Sequence, residues 1–109
     1  MEGKMNIPER VRIGSMDYKV KLTGNVILKG NTQCYGHIDF DRHVIELDNS
    51  LQDTQGIEET FLHELVHGMI NERNFNLKDA DEEMIVDELA MGLHQIIRDN
   101  SEIFQAEKQ

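Results

Sequence analysis

His63 and His67 stand four residues apart, with Glu64 directly after the first, in the run His63-Glu64-Leu65-Val66-His67. On a helix, positions i and i+4 share a side, so the two imidazoles can converge on one ion. Zn²⁺ accepts imidazole nitrogen and carboxylate oxygen readily and imposes little geometry of its own. Glu64 cannot easily join the same coordination set, yet it can reach a water held by the ion. There it would take the proton as the water attacks a polarised carbonyl. The residues therefore point to metal-assisted hydrolysis with Glu64 as general base. The bland alternative is a pair of helix histidines that never meet a metal. The apolar residues around them favour a built site.

Two histidines and a water leave a tetrahedral catalytic centre one ligand short. The downstream candidates are Glu82, Glu83, Asp87, Glu88 and His94. Glu83 and Asp87 are four apart and share a helix face. One carboxylate could bind the metal while the other accepts a hydrogen bond from a ligating imidazole and fixes its tautomer. Hydrolysis also needs a donor for the developing oxyanion. Tyr18, Tyr35, His37, His43 and His94 are the tyrosines and further histidines that could supply one.

The elements that must position these groups are legible from periodicity. Ile57, Phe61, Leu62, Leu65, Val66, Met69 and Ile70 recur at three and four and describe one face of a helix over residues 57–71. Gly56 would mark its start. Asn49, Ser50, Asp53 and Thr54 are turn formers or caps before it. A second helix is expected after Asp79 or Asp81 as cap, with acidic residues in its first turn and an end near Arg98-Asp99-Asn100. Its expected core positions are Ile85, Val86, Leu89, Leu93, Ile96 and Ile97. Phe104 is expected to fold back as an anchor, and residues 105–109 to fray.

The first half alternates as strands do. Val11 and Ile13, then Tyr18, Val20 and Leu22, flank a Gly14-Ser15 turn. Residues 35–40 and 43–47 form a second pair across Asp41-Arg42, and 26–28 a further short strand. Pro8 precedes the first strand, where its missing N–H costs nothing. The expectation is an α+β fold: a small, mostly antiparallel sheet followed by two main helices. The strand begun by His43 lies shortly before the first helix and could hold an extended peptide by edge pairing.

At 109 residues the chain has room for one core and reads as a single domain over 1–109. Aspartate and glutamate number 21 against 11 lysines and arginines, a net charge of -10. So acidic a chain repels phosphate backbones, which excludes nucleic acid as a partner and favours a monomer in solution. Cys34 is the only cysteine, so no intramolecular disulfide forms, in keeping with a cytoplasmic location. A catalytic thiol at Cys34, paired with His37, would need folding to bring the two together. Residues 1–10 lack the apolar core of a secretory signal, and no run reaches the ~20 apolar residues of a membrane span.

His63 to His67 with Glu83 and Asp87 on a following helix resembles the gluzincin arrangement of two helix histidines and a downstream glutamate. More narrowly, Glu59-Thr60-Phe61-Leu62-His63 through His67, followed by Glu82-Glu83 and Asp87-Glu88-Leu89-Ala90, resembles the ImmA/IrrE-like metallopeptidases, many of them encoded by phages and mobile elements. The resemblance is specific over 59–100 and weak over the first half. It implies a minimal zincin-like domain with one Zn²⁺ per chain on His63, His67 and Glu83. It also implies Glu64 as base, Asp87 behind a ligand, and cleavage of a protein partner such as a repressor-type regulator. Where that family carries a Glu-Ala-Asn-like run, this chain has Glu83-Met84-Ile85-Val86-Asp87. Glu82, and then His94 three turns on, stand behind Glu83 as third-ligand alternatives.

Three functions follow: a zinc-dependent endopeptidase, a non-catalytic zinc-stabilised protein-binding domain, and a metal-free interaction protein. Glu64 favours the first, because structural zinc has no use for a base beside an open position.

Overall fold

Side chains that alternate between buried and exposed build the first half of the molecule. In the computed structural model, which describes residues 5–25, 27–75, 77–78 and 81–104, Val11 and Ile13 of β1 (Arg10–Ile13) are buried. Tyr18 and Val20 of β2 (Met16–Thr23) are buried too. Gly14, at φ +61°, makes the turn between these strands, a left-handed conformation that costs glycine little. β3 (Ile27–Lys29) and β4 (Thr32–Cys34) form a separate two-stranded hairpin. β5 (Gly36–Asp39) and β6 (Val44–Asp48) complete the main sheet, in the order β1-β2-β6-β5. All its pairs are antiparallel except β2 with β6, which run parallel with Val20 opposite Ile45.

β3 answers the short strand expected over 26–28, but its partner β4 was not expected. Gly30 at φ +66° supplies the turn that lets Ile27 pair with Cys34. A second correction concerns the edge. The strand of His43 is interior, because β6 is paired with β2 on one side and β5 on the other. The two edge strands of the main sheet, among the described residues, are β1 and β5, and β5 is the one that lines depressions with His63 and Glu64.

Between β5 and β6 the Asp39 carboxylate accepts the N–H groups of Asp41 and Arg42, each at 3.0 Å, and the chain turns through His43 at φ +58°. Those backbone hydrogen bonds, the one from Arg42 foremost, hold the Asp39 carboxyl below its usual range. At the far end of β6, buried Asp48 accepts the N–H and hydroxyl of Ser50 at 2.6 Å each, which lowers its pKa.

α1 (Thr54–Glu72) starts earlier than Gly56, because Asp53 is the effective cap: its carboxylate accepts the Gly56 N–H at 2.9 Å. Phe61, Leu65 and Met69 pack into the core with Ile13, Tyr18, Ile38, Ile45 and Leu47. Leu62 and Val66, expected on the same face, are 39% and 40% exposed. The stripe is narrower than the sequence suggests because one sheet covers one side of the helix.

α2 (Glu82–Asp99) is capped by Asp81, whose carboxylate accepts the Met84 N–H at 2.8 Å. Ile96 is fully buried and Leu89 packs on the core, but Leu93 and Ile97, also expected inside, are exposed. α2 meets the sheet at β1, where the Gln95 carboxamide accepts the Gly14 N–H at 2.8 Å. Asn100, buried at the helix end, accepts from Arg12 N–H at 3.0 Å and donates to the Arg12 carbonyl at 3.1 Å. In α3 (Ser101–Phe104) the anchor is Ile103, fully buried, with Phe104 half-buried beside it. Val26, Asp79 and residues 105–109, and the side chain of Val86, lie outside the described residues. No helix among the described residues is long and apolar enough to cross a membrane.

Candidate functional site

The flank of α1 beside its buried face turns toward β5. His63 and His67 lie on that flank, exposed, while Glu64 is buried at 6% exposure. The two Nε2 atoms approach to 3.1 Å, with the rings edge to face. That separation suits a shared proton, and it also suits a shared metal. Two Zn–N bonds of about 2.0–2.1 Å at a tetrahedral angle place the nitrogens roughly 3.3 Å apart. The donor pair therefore fits a zinc ion with little rearrangement.

Gly36 explains how close α1 and β5 come. A Cβ there would lie 2.5 Å from Thr60 Cγ2 and 3.2 Å from Glu64 Oε2, so only glycine admits the helix at this distance. Gly68 serves the same approach one turn past Glu64, against Ile13 and Ile38.

Two depressions open on either side of this contact. One, of about 300 Å³, is lined by Tyr35, Gly36, Glu59, Thr60, His63 and Glu64. The other, of about 240 Å³, runs past His63, Glu64 and His67 to Cys34, Ile38 and Phe40. Together they make a groove between the edge strand and α1, with the His-Glu pair at its centre. Tyr35 holds its place through its backbone: its carbonyl accepts the Asp48 N–H at 2.9 Å and the Gln52 carboxamide at 3.3 Å. Gln52 in turn accepts the Thr60 hydroxyl at 3.0 Å. The Tyr35 side chain is left 58% exposed.

The other expected site residues divide clearly. His37 borders the second depression, but it pairs in register with Glu46, while its neighbours Gly36 and Ile38 take the face toward α1. Alternation puts the His37 side chain on the other face. Cys34 lines the same depression, and its thiol donates to the Thr32 carbonyl at 3.7 Å. Tyr18 is buried with its hydroxyl donating to Glu72 at 2.6 Å. Burial first, and that bond second, push its pKa up, and His43 packs edge-on against its ring.

Glu83 and Asp87 are exposed on α2, and neither side chain makes a hydrogen bond or ion pair among the described residues. α2 meets α1 through Arg73–Glu88 at 2.7 Å and through Gly92 beside Met69. Rising numbers on α2 thus meet falling numbers on α1. That register carries Glu82 and Glu83 past the end of α1, away from His67. His94 is exposed on the same helix. Among the described residues no set of three metal-ligating side chains is gathered. Sequence reasoning missed Glu59, Thr60 and Phe40 as groove residues. Glu59 was signalled by its place one turn before His63 on the same flank.

Compared with known proteins, the chain matches no family model, no curated protein and no solved structure.

Proposed function

We propose that the protein is a zinc-dependent endopeptidase that hydrolyses a peptide bond in a protein partner. The observation that carries this is the convergence of the His63 and His67 Nε2 atoms at 3.1 Å, beside the Glu64 carboxylate, at the centre of a groove along an edge strand. Among the described residues β5 has one unpaired side, so its N–H and C=O groups can pair with an extended segment laid in the groove. An open groove suits an unfolded stretch of another protein better than a small molecule.

His63 and His67 would hold the ion. Zinc there supplies Lewis acidity, which acidifies water and polarises a carbonyl oxygen. Glu64 takes the proton of the attacking water and returns it to the leaving amine. Its burial against Gly36 limits its rotamers and keeps it oriented. Tyr35, of the donors considered, stands in a depression with both His63 and Glu64, and its phenol is the group proposed to meet the oxyanion. Glu83 remains the proposed third ligand on the strength of the ImmA/IrrE resemblance. Its place on α2, past the end of α1, requires the start of that helix to move toward His67 when the ion binds. The same resemblance suggests a repressor-type regulator as substrate, and the lone cysteine suggests the cytoplasm.

Glu64→Gln keeps the shape of the side chain but cannot accept the proton. Zinc content should be unchanged and peptide hydrolysis lost. Full cleavage by that variant would remove Glu64 as the base. A zinc-stabilised binding domain is the second reading, favoured by the exposed Leu62 and Val66 on α1 and Leu93 and Ile97 on α2. It predicts partner binding that survives Glu64→Gln with no cleavage by the unaltered protein.

A further inference from the structure

The two halves of the groove differ in chemistry. The half beyond His67 ends on Ile38, Cys34 and the partly exposed ring of Phe40. The half beyond His63 holds Tyr35, Thr60 and the exposed carboxylate of Glu59. Glu59 makes no hydrogen bond or ion pair among the described residues, and no lysine or arginine lines either depression. Its negative charge thus faces no basic side chain within the groove, in a chain whose net charge is already -10.

We infer that this half of the groove is a specificity pocket for a basic side chain, Lys or Arg, next to the bond that is cut. The inference rests on the proposed function and narrows its substrate to basic segments. Three features support it. Glu59 lies one helical turn before His63 on the same flank of α1, so a group bound to it is one residue from the reacting centre. The Tyr35 ring, on a backbone fixed by Asp48 and Gln52, offers a flat aromatic wall against which a guanidinium or the stem of a lysine packs. The volume of about 300 Å³ takes one long side chain. A guanidinium there pairs with the carboxylate in a half-enclosed setting, where a charge-assisted bond is stronger than on an open surface. An acidic side chain would meet Glu59 and Glu64 together and be repelled.

The test uses a synthetic decapeptide library, randomised at its central positions. It is retained on the zinc-loaded full-length Glu64→Gln protein, which binds without cutting, and is read by mass spectrometry. Lys and Arg should be enriched at one position. Glu59→Gln added to Glu64→Gln should weaken binding of an arginine peptide by about three- to tenfold, and leave its citrulline counterpart unchanged. Glu59→Lys should shift the enrichment toward Asp and Glu. Retention without basic enrichment, or enrichment that survives Glu59→Gln, overturns the inference. Cleavage of the same library by the unaltered protein is scored separately. Glu59-dependent basic selection without cleavage keeps the pocket and removes the peptidase. Cleavage without basic selection does the reverse.

Discussion

The two long helices have opposite relations to the sheet. α1 lies against β5, β6 and β1 and puts Phe61, Leu65 and Met69 into the core, while α2 meets the sheet at β1, where it adds Ile96 to the core beside polar bonds from Gln95 and Asn100. α1 therefore holds His63, Glu64 and His67 on a rigid support, as chemistry requires. α2 carries Glu83 in its first turn and Asp87 in the next, both exposed, and leaves Leu93 and Ile97 about half exposed. One helix is the platform of the site. The other is held chiefly by its C-terminal half, through Ile96, Gln95 and Asn100.

Stability should show this difference most strongly. Phe61→Ala empties a fully buried position and should cost about 3–5 kcal/mol, read from denaturant midpoints. Ile97→Ala, 47% exposed, should stay within about 0.5 kcal/mol. Equal losses would mean that α2 is as much part of the core as α1.

Zinc affinity should sharpen the comparison from the other side. If α2 repacks to complete the site, Glu83→Ala should weaken zinc binding severely, and Asp87→Ala by roughly 10–100-fold. Hydrogen exchange over 82–88 should slow on zinc addition. Unchanged affinity in Glu83→Ala would leave α2 out of the metal centre.

A small effect is expected at the bridge between the helices. Arg73–Glu88 is a partly exposed ion pair, with side chains 27% and 29% accessible. Arg73→Ala should cost about 1 kcal/mol or less and fade as salt rises. A larger loss would show that the helices are locked together.

Much of this was legible in the sequence. Periodicity gave both helices, and the i, i+4 spacing brought His63 and His67 together with Glu64 between them. Alternation gave β1, β2, β5 and β6. What it could not give was partner choice. β2 pairs with β6 in parallel across the chain, so β5 and not the His43 strand has the free edge, and no local pattern encodes that. Leu62, Val66, Leu93 and Ile97 match the helical period yet remain outside, because periodicity reports a candidate face and not whether another element covers it. Gly36 read only as one residue of the strand over 35–40. Its role is steric, and only the approach of Thr60 and Glu64 reveals it. The proposed third ligand, Glu83, rests on the resemblance, whereas the register that Arg73–Glu88 and Gly92–Met69 set between the helices is written in no local pattern.

The central claim is that His63 and His67 form one metal-binding pair. Calorimetric titration of metal-free protein with Zn²⁺ tests it most directly. The account predicts one tight equivalent per chain, lost in His67→Ala while the variant's circular dichroism stays that of the folded protein. No uptake by the unaltered protein, or the same uptake by His67→Ala, would contradict it.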